Sequence, residues 1–415
     1  RPQTLPKQFS YSQAAGSAKQ LALRYQSMEA MIESFKGIPA GAKQSPHTLT
    51  IRFDAEVGRV VIIDQTRLPH ECVEVELKTL ADACHAISSM QVRGAPLIGV
   101  TAAFGLYLGL RGKDDETARS LSAPVIEALA ATRPAAINLR WALDRIETRL
   151  ARCEKNVAAE ALQAALELHA EDINACAMLG EHGAQLLQEI WEAKGERAAQ
   201  AGLPAPESLN VLTHCNAGAL ATVDWGTALA VIYKAQARAI PLHVWVDETR
   251  PRNQGASLTC WELGQRGVPH TLIVDNAGGH LMQHGMVDCC VVGSDRTTLL
   301  GDVCNKIGTY LKALAAADNG IPFYVALPVS SIDFSLREGL TEIPIEERAA
   351  EEVSHISGLD DEGRVSRVQL APTGTSVSNY GFDVTPARLV SGLITERGII
   401  DANEAALTKL RDSVA

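Results

Sequence analysis

Aromatic residues make up only 5% of this 415-residue chain, and it contains no hydrophobic run of transmembrane length. The longest candidate, Ala95 to Leu108, is shorter than the ~20 apolar residues a bilayer helix needs and is interrupted by glycine, so no membrane span is expected. Positive charge is also in deficit. Lys and Arg total 38 against 49 Asp and Glu, a formal net charge of -11 that argues against a nucleic-acid or anionic-membrane surface. A small molecule is the expected partner. The nine cysteines form no CxxC pair and no zinc-ligand spacing, which excludes a disulfide framework and fits reduced thiols in a cytoplasmic enzyme. The dinucleotide fingerprint GxGxxG and the GK[ST] triplet of a P-loop are missing, and local spacing gathers no histidine metal cluster. Local motifs therefore signal neither a dinucleotide nor a histidine-bound metal.

What is present divides the chain. Residues 1–46 hold one expected helix, roughly Gly16 to Phe35, in an appended segment without chemistry. From Leu49, LTIRF and GRVVIIDQT predict two short strands around a turn at Glu56 to Gly58. Helical periodicity then dominates to residue 192, giving a mostly helical N-terminal domain (47–192) with a small β start. The Gly- and Pro-broken stretch 193–207 reads as a linker. Beyond it, LNVLT, LHVWVD, HTLIVD, CCVVGSD and PFYVALP alternate with segments expected to turn helical near Thr222, Ala256, Gly279, Asn305 and Glu346. Strands this apolar need cover on both sides. The fold class is therefore α/β, with residues 208–415 a Rossmann-like parallel sheet carrying helices on both faces. Two amphipathic helices, over ARLVSGLITERG and Asn403 to Ser413, are expected to close the chain.

The candidate chemistry sits where strands end. Cys215 and Asn216, Asp247 and Glu248, Asp275 and Asn276, and Ser294 and Asp295 each follow an apolar run, and the carboxyl edge of an open α/β sheet is where such folds build sites. Any one of these residues alone is more often a turn or cap residue. Cys215, read as lying just before a helix start, could be held partly as thiolate by the local dipole; the competing reading is a small buried hydrophobe. Cys289 and Cys290 are assigned to the core. Asp295 is equally readable as a general acid or base and as the salt-bridge partner of Arg296. Arg93, before Gly94-Ala95-Pro96, and Arg133, before Pro134, each stand ahead of a helix start, a ready anion site. Asn305 and Lys306, read as opening a helix, could hold a phosphate with them, and Gln254 a sugar hydroxyl. Asp383 reads as a helix-entry device or as a group above the site.

VRGAPLIGVTAAFG, TRPAAINLRWALDR, LTHCNAGALATVDWGTAL, DETRPRNQGASLTCWEL, VGSDRTTLLGDVCNKIGTY, IPFYVALP, IPIEER and FDVTPARLVSGLITERG follow one another in the order of motifs of the methylthioribose-1-phosphate isomerase family, and the chain resembles that family from about Thr50 to Ile400. The resemblance implies a cofactor-free aldose-to-ketose isomerisation of a sugar 1-phosphate in methionine salvage. It makes Asp295 a proton donor and Cys215 an aid to hydrogen transfer. Arg93, Gly94, Ala95, Arg133, Gln254, Asn305 and Lys306 become substrate-lining residues, and a homodimer is expected. Regulatory subunits of the translation-initiation guanine-nucleotide exchange factor share several motifs but lack the paired Cys and Asp. Ribose-1,5-bisphosphate isomerase, a third relative, would need extra cations near the 5-position. Ser294, Thr297 to Leu300 and Ala277-Gly278 depart from the commonest family forms, which adds 5-deoxyribose 1-phosphate to the expected substrates.

Overall fold

A computed structural model describes residues 49–55, 57–134 and 136–414. The helix expected between Gly16 and Phe35 lies outside these residues.

The described chain opens with an antiparallel sheet of β1 (Ile51–Asp54), β2 (Arg59–Ile63) and β3 (Glu74–Leu77). Five helices follow: α1 (Leu80–Ser88), α2 (Ala95–Leu110), α3 (Asp115–Ala130), α4 (Ile137–Leu150) and α5 (Val157–Gln200). Helix α2 is the run that composition flagged. Nearly every residue in it is buried, so its all-round apolarity makes it a core helix packed against α4 and α5. Among the described residues no helix is long and apolar enough to cross a membrane. Helix α5 continues to Gln200, so the segment read as linker from Ala193 is helical over its first half; its Ala- and Glu-rich composition carries the helix past Gly195.

The second half is built on a seven-stranded sheet from β4 (Leu209–Thr213), β5 (Leu242–Asp247), β6 (His270–Ile273), β7 (Cys289–Val292), β10 (Phe323–Ala326), β15 (Gly392–Thr395) and β16 (Gly398–Ile400). Its spatial order is β16-β15-β10-β7-β4-β5-β6, parallel throughout except for the edge strand β16. Chain order therefore reverses between β4 and β7. That is the topological switch point, where doubly wound sheets open a crevice at their carboxyl ends.

The side-chain period of two divides the strands between two cores. Cys289 and Val291 pack with α5, α6 (Ala228–Ala237) and α7 (Cys260–Gln265) on one face. Cys290 and Val292 pack with α8 (Ala277–Gln283), α9 (Thr309–Asp318) and α10 (Glu404–Val414) on the other.

Three expectations are corrected. ARLVSGLITERG is not a helix: Ala387–Leu389 form one 3-10 turn and the rest enters β15 and β16, with Leu393 in one core and Ile394 in the other. Asn305 and Lys306 do not open a helix but end strand β9 (Val303–Lys306), which pairs with β8 (Arg296–Thr298) and β14 (Phe382–Thr385) in a small sheet completed by β11 (Ile332–Asp333). The helix starts later, at Thr309, where the Asp383 carboxylate on β14 accepts from the Gly308 and Tyr310 amides (2.7 and 3.1 Å). No helix begins at Glu346; one short turn forms at Glu351–Ser354, leading into the hairpin of β12 (His355–Leu359) and β13 (Val365–Gln369).

Candidate active site

The strand β4 ends on His214 and Cys215, and the adjacent strand β7 leads through Gly293 to Asp295. The sheet order thus brings a thiol and a carboxylate from distant sequence to the two sides of the switch point. One cleft there is lined by Arg93, Gly94, Ala95, Arg133, Cys215, Gln254, Asp295, Asn305 and Lys306 together. His214, Asn216, Phe382 and Pro328 line it too. Asp247 and Asp275, which the sequence also set at strand ends, are not among these residues and serve the scaffold. Asp275 accepts the Thr249 and Arg250 amides (both 2.7 Å), and Asp247 accepts from His214 Nδ1 (2.8 Å).

Cys215 does not stand at a helix start. A 3-10 turn over Ala219–Ala221 follows it, and α6 begins only at Ala228, so the segment after it brings no helix dipole to the sulfur. Its backbone adopts a left-handed φ of 63°, held by its amide donating to Thr249 Oγ1 (2.8 Å) and its carbonyl accepting from Thr259 Oγ1 (2.6 Å). The thiol donates to Gln254 Oε1 at 3.3 Å. Burial pushes the thiol up from its ordinary range, outweighing the pull of Lys306 and Arg93, so Cys215 is a neutral thiol here and not the dipole-held thiolate the sequence suggested. Gln254 is delivered by a turn so tight that a Cβ on Gly255 would fall 1.7 Å from Asp247 O; the following residues, Gly255–Thr259, form a π-helical turn.

Asp295 is also raised by burial, against the opposing charges of Lys306, Arg133 and Arg93. The salt-bridge reading falls away, because Arg296 pairs with Asp333 at 2.9 Å. The cations come from three elements. Arg93, 5% exposed, donates from Nε to Gln65 Oε1 (3.1 Å) and from one terminal nitrogen to Asn216 O (2.6 Å). Arg133 pairs with Glu346 (3.1 Å), and the Lys306 ammonium lies 4.6 Å from the Phe382 ring centre, forming no ion pair among the described residues. Burial pulls Lys306 down. Gly94 introduces α2 at φ +95°, where a Cβ would meet Ala221 O at 2.4 Å; only glycine lets the helix start approach the Cys215 loop this closely.

Sequence reasoning missed the groups that hold these in place. Glu262 is buried and gathers Asn216 Nδ2 (2.9 Å), the Ala219 and Leu220 amides (2.8 and 3.2 Å) and the Tyr233 hydroxyl (3.1 Å). Glu262 stood in the quoted DETRPRNQGASLTCWEL motif, but a glutamate in a helical segment carries no local signal of that role. Glu346 and Phe382 did stand in the quoted IPIEER and FDVTP motifs. The ligand atoms of His214, Asp247 and Asp275 lie within 4.8 Å of one another, a grouping invisible to local spacing. The Lys312 ammonium already pairs with one of these groups, lying 3.2 Å from the Asp247 carboxylate, and donates to the backbone carbonyl of Asp275. A shallower depression beside Arg145, Arg149 and Glu160 holds arginines already paired with Glu160, Glu167 and Glu171.

A parallel-rich α/β sheet whose switch point carries a buried thiol, a half-buried carboxylate and three cations places the chain among open α/β proteins, with a cleft suited to a small anion. The chain matches the initiation factor 2 subunit family over residues 91–402. It is 58% identical over 362 residues to the methylthioribose-1-phosphate isomerase of Methylorubrum populi, covering 87% of this chain and 95% of that one. The crystal structure of 5-methylthioribose 1-phosphate isomerase from Pyrococcus horikoshii OT3 superposes with a TM-score of 0.75 at 37% identity, covering 91% and 99% of the two chains. That of translation initiation factor eIF-2B subunit delta from A. fulgidus gives 0.70 at 36%, covering 87% and 99%. The chain belongs to the methylthioribose-1-phosphate isomerase family, within the initiation factor 2 subunit family.

Proposed function

We propose that this cleft converts 5-methylthioribose 1-phosphate to 5-methylthioribulose 1-phosphate, the isomerisation of methionine salvage. The observation that carries the reading is the meeting of Cys215 and Asp295 across the switch point in a cleft shared with Arg93, Arg133 and Lys306. The anomeric carbon of the substrate bears phosphate, so no free aldehyde exists and the ring opens with the phosphoester kept. Asp295, whose carboxyl burial holds above the ordinary carboxylate range, gives its proton to the ring oxygen as that oxygen leaves C1. A hydrogen passes with its electron pair from C2 to C1, and the C2 hydroxyl returns a proton to the Asp295 carboxylate as C2 becomes a carbonyl, which restores the acid. Cys215 assists this transfer as a neutral thiol oriented by Gln254, not as a covalent nucleophile. Arg133, Lys306 and the start of α2 take the phosphate, with Arg93 adding to the positive field.

Support for a Rossmann-like C-terminal half comes from the strand order and the two helix layers. A two-domain division after helix α5, the homodimer and a cytoplasmic setting belong to the same proposal, as does 5-deoxyribose 1-phosphate as an additional substrate. Ketose formation from methylthioribose 1-phosphate, 5-deoxyribose 1-phosphate and ribose 1,5-bisphosphate by the purified chain tests it. Turnover is expected with the first two. Preference for the bisphosphate would overturn the substrate assignment, and nucleotide or protein binding without any sugar-phosphate turnover would favour a binding protein instead.

A further inference from the structure

Asn216 follows the thiol directly and lines the same cleft, 3% exposed. Its orientation is not a matter of choice between two similar edges. One edge faces Glu262 Oε1 (2.9 Å), a carboxylate that only accepts, and Thr259 Oγ1 (3.1 Å), whose own proton goes to Cys215 O (2.6 Å). That edge must be the NH2 group, and the carbonyl Oδ1 is fixed on the opposite edge. Oδ1 is buried and accepts no hydrogen bond from the described residues. The same cleft holds an open donor on a residue that touches Asn216. The Arg93 guanidinium is docked on Asn216's own backbone oxygen through one nitrogen (2.6 Å), and its other terminal nitrogen, also buried, donates to no described residue. Buried polar atoms left open at a cost of this size point to a partner that arrives from outside.

We infer that Asn216 Oδ1 and the open Arg93 nitrogen form a hydroxyl-reading pair that binds the C3 hydroxyl of the sugar phosphate. The inference rests on the proposed isomerase reading and deepens it. A hydroxyl needs one donor and one acceptor and meets both here. A phosphate only accepts, so the Asn216 oxygen repels it and turns the substrate's phosphate toward Lys306 and Arg133. The C2 hydroxyl must surrender its proton during the reaction, which an amide oxygen cannot take, so C2 belongs to the titratable groups. The unreacting C3 hydroxyl belongs to Asn216.

The test is a cycle of two enzymes and two substrates. Wild type and Asn216→Ala are each assayed on methylthioribose 1-phosphate and on its 3-deoxy analogue, after circular dichroism has checked folding. Removing the hydroxyl from the substrate is expected to lower wild-type kcat/KM by about tenfold to a hundredfold, the range for leaving a buried group unpaired. Removing the amide lowers it similarly on the parent substrate, and both changes together cost little more than either alone. Losses that multiply would show Asn216 acting only on the loop and overturn the inference. Should Asn216→Ala fail to fold, the wild-type arm decides: equal turnover of the 3-deoxy analogue overturns it. Absence of any turnover of the parent sugar would instead defeat the isomerase reading.

Discussion

Cys215 and Asp295 share one physical circumstance: burial raises both, so the thiol keeps its proton and the acid stays protonated further up the pH scale than an exposed carboxylate. For Asp295 as donor the sign follows directly. Activity requires the protonated form, so kcat/KM holds on the acidic side and declines as pH rises through the raised pKa, a limb that a pH–rate profile reads. Asp295→Asn abolishes that limb and lowers turnover at least about a hundredfold, and Cys215→Ser costs a similar factor, the usual scale for proton-transfer groups. Full activity in either variant would assign the role elsewhere. Turnover should also survive prolonged treatment with a chelator, because in the grouping of His214, Asp247 and Asp275 the Asp247 carboxylate already pairs with Lys312 and His214 and the Asp275 carboxylate with the Thr249 and Arg250 amides; loss of activity restored by a divalent ion would refute this.

The start of α2 is as much a part of the site as any catalytic group. Gly94→Ala forces a Cβ against Ala221 O and a left-handed backbone on alanine, a strain of about 1–3 kcal/mol. A lowered melting temperature and at least a tenfold loss of kcat/KM are expected together, since the Cys215 loop must move to relieve the clash. Helix α5 offers a different test. Its buried His169 meets Ile51 O at 3.0 Å and is pushed down to about 4 by burial from an ordinary 6.5. Because the folded state binds this proton less readily than the unfolded chain, the contribution is complete above about pH 6.5 and is lost as pH falls through 4, on the order of 3 kcal/mol over the interval. Thermal melts from pH 7.5 to 4 should show that slope and lose much of it in His169→Gln.

Elements of this kind show what a sequence makes legible. Buried parallel strands are apolar until they reach the carboxyl edge, so the change from LNVLT to His-Cys-Asn and from CCVV to Gly-Ser-Asp announced both halves of the site. The runs at 303–306 and 392–395 were misread because four residues carry too little periodicity to separate strand from helix. Asn216 was marked only as a strand-end residue and Glu262 not singled out, since their particular roles depend on contacts with residues far away in sequence.

At the scale of the whole molecule, the proposed homodimer predicts a light-scattering mass twice that of the 44.4 kDa chain, and a monomer would remove the second copy from the account. The sheet order governs how the molecule comes into being as well as how it works. The chain lays β4, β5 and β6 outward in one direction, then returns to set β7 on the other flank of β4. The β4–β7 pairing therefore closes a much longer loop of chain than β4–β5 or β5–β6, so the thiol's half of the sheet is expected to form ahead of the docking of the acid's strand. Recovery of catalysis on dilution from denaturant should lag behind the early gain of secondary structure, and the interval between them times the return of the chain across its own first strand.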